Sequence, residues 1–285
     1  MDKIHNLLTR RVPREIASHI FAQCISSDLR RHQIQKEIIC QPLVLGAVCQ
    51  SWRDIAWTTP QLWTTIIISI LPPPDPSLKL ELLDQWIARS RYLPLNISFN
   101  SFPNHLLSPM ETLYYPLIDL LNQHSSRWRS LYLFVSRTLL NRFSGDGGTI
   151  SILNSLTLLA FTFPHFPIEL HRFSLRTVSP RPQFVELLNV PLSSVDIKWN
   201  NLTKIKATFR INELLQIFHH AHELVSCTVT KCFEAATTEY RTSETPVLLR
   251  FLQHLEIQSC LVDSSEIMDN DYHPVPSSLG VQARI

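Results

Sequence analysis

The sequence predicts an α/β repeat, an irregular leucine-rich-repeat solenoid, preceded by a small all-α helical module. Three observations lead there. Residues 1–65 carry two apolar stripes at helical period, separated by a charged stretch. Farther along, helical patterns alternate with segments marked by two apolar residues one apart, the period of a strand with one buried face. From Leu131 to Leu255 these marks recur in steps of 25, 17, 22, 10, 22 and 28 residues, four of them inside the roughly 20–29 range of leucine-rich repeats.

The first module begins at Val12 and Pro13, where proline suits a helix's first turn because its missing amide donor is no loss there. Ile16, Ile20, Phe21 and Cys24 then form one stripe. Ser26 to Gln35 reads as a solvated connection, and Pro42 opens a second helical pattern carrying Leu45, Val48, Cys49, Trp52, Ile55 and Ala56. That pattern stops before Pro60, because a residue preceding proline disfavours helix.

Residues 66–76 are expected to be a strand and a stiff connector, built from a β-branched run and Pro72, Pro73, Pro74 and Pro76. This is the expected domain boundary. In the region 77–270, Leu78, Leu82, Leu83, Trp86 and Ile87 mark a helix, and Leu95, Ile97 and Phe99 a strand; Leu113, Leu117, Leu120 and Leu121, then Leu131, Leu133 and Val135, repeat the unit. Later strand marks are Leu156 and Leu158, Phe173 and Leu175, Val195 and Ile197, Ile205 and Ala207, Cys227 and Val229, and Leu255 and Ile257. Residues 271–285 read as a tail. A compact α/β domain, whose strands also alternate with helices, is the alternative to a solenoid.

Composition narrows the function. Of 285 residues, 45% are hydrophobic and 18% charged, so the chain builds a real core. A net charge of +2 is too small an excess for binding driven by many phosphate contacts, so nucleic acid is not an expected partner. Six cysteines without a C-x-x-C pair fit reduced thiols in an intracellular protein, cytoplasmic or nuclear. The longest aliphatic run, Ile66 to Leu71, is too short for a bilayer, so no membrane association is expected.

The run VPREIASHIFAQC followed by PLVLGAVCQSWRDIAWTTPQLW resembles an F-box. The matches are Pro13, Glu15, Ile16, Ile20 and Phe21, then Val48, Cys49, Trp52, Arg53, Ile55 and Ala56. With Thr59-Pro60-Gln61-Leu62-Trp63 and the later Trp199 to Ile205, the chain is similar to the F-box and leucine-rich-repeat proteins abundant in mushroom-forming fungi. Val12 stands where the family has leucine, one methylene less, or about 0.8 kcal/mol of burial. The spacer Ser26 to Gln41 is longer than in the shortest F-boxes, at slowly rising cost in closure entropy.

The resemblance implies a substrate-recognition subunit of an SCF-type ubiquitin ligase. The F-box docks a Skp-type adaptor, and through it a cullin, while the remainder binds an unknown protein target. The expected adaptor-binding residues are Val12, Pro13, Ile16, Ile20, Phe21, Leu45, Val48, Cys49 and Trp52. Independently, a module this small has too few residues to enclose all of those side chains together with Trp63. Arg10, Arg11, Arg14, Arg30, Arg31 and Lys36 give it a positive bias able to steer an acidic partner. The alternative is a non-catalytic leucine-rich-repeat scaffold with a degenerate F-box and no ligase role.

No catalytic, cofactor or metal site is expected. His219, His220 and His222 near Cys227 and Cys232 lack the paired spacing of a zinc site, and read as a helix end beside a buried strand. Ser144 to Thr149, with three of the chain's five glycines, lacks the Gly-Lys-Ser/Thr ending of a phosphate loop and reads as a surface turn. Asp263, Glu266, Asp269 and Asp271 lack the glycine and closing glutamate of a calcium loop.

Overall fold

The structure, a computed structural model, describes residues 12–24, 41–70, 76–101, 108–148, 150–160, 172–176, 179–234, 249–258, 260–262 and 281–283. The chain divides into two compact units, 1–134 and 135–285. The boundary expected from the sequence, the proline-rich connector, has its residues 71–75 outside the described ones.

In the first unit, helix α1 (Arg14–Cys24) starts on the Pro13 carbonyl, which accepts the amides of Ile16 and Ala17 at 3.0 Å each. It buries Ala17 and Phe21, four residues apart and so on one face. The second helical pattern is broken, not continuous: α2 (Gln41–Val48) and α3 (Gln50–Thr58) are separated by Cys49, extended at φ −161° and ψ 169°. Packing explains the break. On one straight helix residues 46 and 57 would stand about 16 Å apart, whereas here Trp57 lies against Gly46 and the Arg53 Nε donates to the Gly46 carbonyl at 2.9 Å.

A 3-10 turn (Pro60–Trp63) then leads to strand β1 (Thr65–Ile70), helix α4 (Pro76–Ser90), β2 (Leu95–Ser101), α5 (Tyr115–Asn122) and β3 (Trp128–Val135). The strands run parallel in the order β1, β2, β3, with Ile66, Ile97 and Leu131 in one row and Ile68, Phe99 and Leu133 in another. Parallel neighbours need long crossovers, which α4 and α5 supply. Arg127 fastens one of them: its guanidinium donates to the Leu93 carbonyl through Nε at 3.0 Å and Nη2 at 2.9 Å, and to Ser90 Oγ at 2.6 Å. These bonds hold the turn in which Arg91 takes φ 53°.

In the second unit, α6 (Arg137–Leu140) precedes β4 (Ser155–Ala160), β5 (Phe173–Ser174), β6 (Phe184–Leu188), β7 (Val195–Asp196), β8 (Lys204–Arg210), α7 (Ile211–His220), β9 (Ser226–Glu234), β10 (His254–Ile257), β11 (Cys260–Val262) and β12 (Val281–Ala283). The main sheet runs β4, β6, β8, β9, β10, β12, with β11 also on β9. Register places Leu156, Val185, Ile205, Cys227 and Leu255 in one cross-sheet row. Leu158, Leu187, Ala207, Val229 and Ile257 form the next. The strand entries are bracketed in series: the carbonyls of Asn154, Gln183, Thr203 and Val225 each accept two amides from the next strand's entry.

This overturns the expected fold class. Each unit is an α/β fold on a mostly parallel sheet, and among the described residues no leucine-rich-repeat solenoid forms. The connections do not repeat: α7 joins β8 to β9, β5 and β7 pair with each other in a separate two-stranded sheet, and β12 closes antiparallel on β10. Two of the strand marks behind the inferred period, Phe173 and Val195, thus leave the main sheet. One of its members, β6, carried no mark in the sequence reading although Val185 and Leu187 show the same pattern. Apolar pairs one apart mark any buried parallel strand, and a parallel sheet with crossovers spaces them much as a solenoid does.

The N-terminal helices are likewise not set apart as an all-α module. Their core, Ala17, Phe21, Ile55, Ala56, Leu62 and Trp63, is completed by Trp86 from α4. Trp63 meets Trp86 edge-on at 4.7 Å and Trp57 at 5.5 Å, and the Arg89 guanidinium lies 4.9 Å from the Trp63 ring. Trp86 Nε1 reaches over to donate to the Thr65 carbonyl at 3.2 Å.

Candidate docking surface

Helix α1 presents two apolar faces and buries only one. The core takes Ala17 and Phe21, which leaves Ile16 52% exposed and Ile20 40% exposed, one turn apart. Helix α2 repeats the arrangement. Pro42 and Gly46 are buried, while Val44 is 64% and Val48 39% exposed, again one turn apart. Leu43 is exposed beside them. Single exposed aliphatics are ordinary; here each of two helices in the same unit carries a pair at one-turn spacing, an apolar ridge open to solvent.

The expected adaptor-binding residues separate into two groups. Ile16, Ile20, Val48 and Pro13 are open to solvent. Phe21 is enclosed in the core, and Trp52 is half-buried against it, the rings 4.8 Å apart. Val12 and Leu45 are half-buried against the same core, and Cys49 is half-buried at the break between α2 and α3. Trp63, also counted among the side chains too many to enclose, is wholly buried. Val44 and Leu43 fall outside the single stripe that period draws from Leu45 through Ala56, because the turn at Cys49 gives α2 and α3 different inward faces.

No family model, curated protein or solved structure matches the chain. The surface is therefore read from its own chemistry. Arg14 Nη2 on α1 donates to the Asp54 carbonyl at 3.0 Å and to Thr58 Oγ1 at 3.1 Å, which ties α1 to α3. Arg10, Arg11, Arg30, Arg31 and Lys36 lie outside the described residues.

The other candidates fall as follows. Among the described residues no three of His, Cys, Asp and Glu gather to hold a metal. His220 Nδ1 donates to the Gln216 carbonyl at 2.8 Å at the end of α7, and His222 is exposed beyond it. Cys227 is buried in the row of apolar side chains on β9, and that burial pushes its thiol up to about 12. Gly145 and Gly147 take φ 69° and 92° in a turn where Asp146 Oδ1 accepts the Gly148 amide at 3.0 Å, a local Asx bond. Asp263, Glu266, Asp269 and Asp271 lie outside the described residues. Among the described residues no helix is long and apolar enough to cross a membrane.

Proposed function

We infer that the chain is the substrate-recognition subunit of an SCF-type ubiquitin ligase, whose N-terminal helices dock a Skp-type adaptor while the second unit holds a target protein. The observation that carries this reading is the pair of uncovered apolar ridges, Ile16 with Ile20 and Val44 with Val48, on helices whose sequence resembles an F-box. Aliphatic side chains already fixed on helices lose little entropy when a partner covers them, and removing their apolar area from water favours the complex. The chain supplies no reaction of its own in this role. It raises the effective concentration of a target near the ubiquitin-charged enzyme.

Mixing the purified chain with a purified Skp-type adaptor tests the reading. A complex that elutes together in size-exclusion chromatography supports it. Separate elution at micromolar concentrations of both removes the ligase role and leaves a non-catalytic scaffold.

A further inference from the structure

A second surface of definite chemistry lies in the second unit. The loops that enter β4, β6 and β8 enclose a cleft of about 440 Å³. Neighbouring strands in that sheet stand just under 5 Å apart, so the cleft spans about 10 Å, the length of three extended residues. Its walls are fixed by backbone bonds: the Asn154 carbonyl accepts Gln183 N at 2.9 Å, and the Pro180 carbonyl accepts Lys198 N at 2.8 Å.

The lining is cationic and has no acid. Arg181 and Lys198 both face the cleft, both are exposed, and among the described residues neither side chain has a hydrogen bond or ion pair. The side-chain amides of Asn154 and Gln183 line it and are also uncommitted. The nearby carboxylate, Asp196, borders the cleft through Ser179, a lining residue whose hydroxyl donates to it at 3.1 Å, and it is also held by Arg172 at 3.3 Å and the Ser174 hydroxyl at 3.2 Å. Along one side stand Ile150, 69% exposed, and Ile152, 42% exposed. Two free cations, two free amides and two bare isoleucines in one cleft match a chain carrying carboxylates and aliphatic side chains in alternation.

We propose that this cleft binds an extended acidic peptide, its carboxylates on Arg181 and Lys198 and an aliphatic side chain against Ile150 and Ile152. The cleft lies at the strand entries, and the uncommitted side-chain amides of Asn154 and Gln183 are available there to bond a peptide backbone. All its residues belong to the second unit, so the proposal holds whether or not the first unit docks an adaptor.

The test is fluorescence anisotropy on the full chain, with a labelled eight-residue peptide alternating Asp or Glu with Ile or Leu, and a companion carrying Asn and Gln in place of the acids. The acidic peptide is expected to bind at least about tenfold more tightly, and to weaken as salt rises. The double variant Arg181→Glu with Lys198→Glu should lose about tenfold or more, and Ile150→Ser several-fold. Both charged side chains are exposed, and an unchanged thermal midpoint shows that the double variant is folded. Equal binding of the two peptides, or undiminished binding by the folded double variant, overturns the proposal. So does full displacement by millimolar inorganic phosphate with Ile150→Ser without effect, which would leave a bare anion site.

Discussion

The indole of Trp57 occupies the space that a Cβ on Gly46 would fill. This contact closes the α2–α3 hairpin, and it explains a glycine in a helix interior, where alanine is ordinarily better by about 1 kcal/mol. Trp57 is half-buried, and its ring can yield only by disturbing its contacts with Trp63 at 5.5 Å and Arg89 at 5.5 Å. Gly46→Ala should therefore destabilise the protein by about 1–2 kcal/mol net, the overpacking outweighing the gain in helix preference. Denaturant midpoints of the two proteins measure it, and a stabilised variant would show that the ring moves freely.

Ile20 and Phe21 are neighbours with opposite fates. Ile20→Asp puts a charge on an already wet surface and should change stability by no more than about 0.5 kcal/mol. Phe21→Ala empties the centre of the helical core and should cost about 3–5 kcal/mol. Urea unfolding distinguishes them, and a large loss in Ile20→Asp would mean that the face is covered by the chain itself.

Glu186 on β6 is cross-strand from Lys206 on β8, and their ion pair is 3.0 Å long with the carboxylate mostly buried. Lys206→Met removes the partner of a nearly buried acid and should cost about 1–2 kcal/mol, reduced by the solvent that reaches the lysine. Changing both residues to Met should recover most of that loss, because paired removal leaves no orphaned charge. A double-mutant cycle in denaturant reads the coupling; additive losses would show that the pair contributes nothing.

The thiol of Cys227, ordinarily near 9.0, is raised to about 12 by burial. A raised thiol stays protonated in the fold while the unfolded chain ionises. Its contribution is therefore complete below pH 9 and is lost as pH rises through the window from 9 to 12. Comparing the parent with Cys227→Ala cancels the other titrations. The difference in unfolding free energy between them should fall with pH, approaching about 1.4 kcal/mol per unit above pH 10. A difference independent of pH would place the thiol in contact with water.

Local periodicity carried much of the fold. The strands at Leu95, Leu131, Leu156, Ile205, Cys227 and Leu255 stand where alternating apolar residues announced them, since one buried face needs a period of two. What spacing could not supply was partnership. Phe173 and Val195 carry the same local signal as Leu156 but pair with each other, and nothing within either segment encodes that choice. Which apolar side chains of the helices stay exposed was legible only in part. Period alone puts Ile16, Ile20, Phe21 and Cys24 in one stripe on α1, yet burial divides it between Phe21 inside and the two isoleucines and Cys24 outside. Ala17, too small to count in an apolar stripe, is what selects the inner face.

The central claim is that the ridges on α1 and α2 are a docking surface for a Skp-type adaptor. The most direct measurement is affinity purification of the tagged full chain from its native cells, beside the variant Ile20→Asp with Val44→Asp, with adaptor and cullin quantified by mass spectrometry. The parent is expected to carry both proteins and the folded double variant to lose at least about nine-tenths of them, since a charge on each ridge must be desolvated when a partner covers it. Equal adaptor recovery on the parent and the folded variant, or none on the parent, would contradict it.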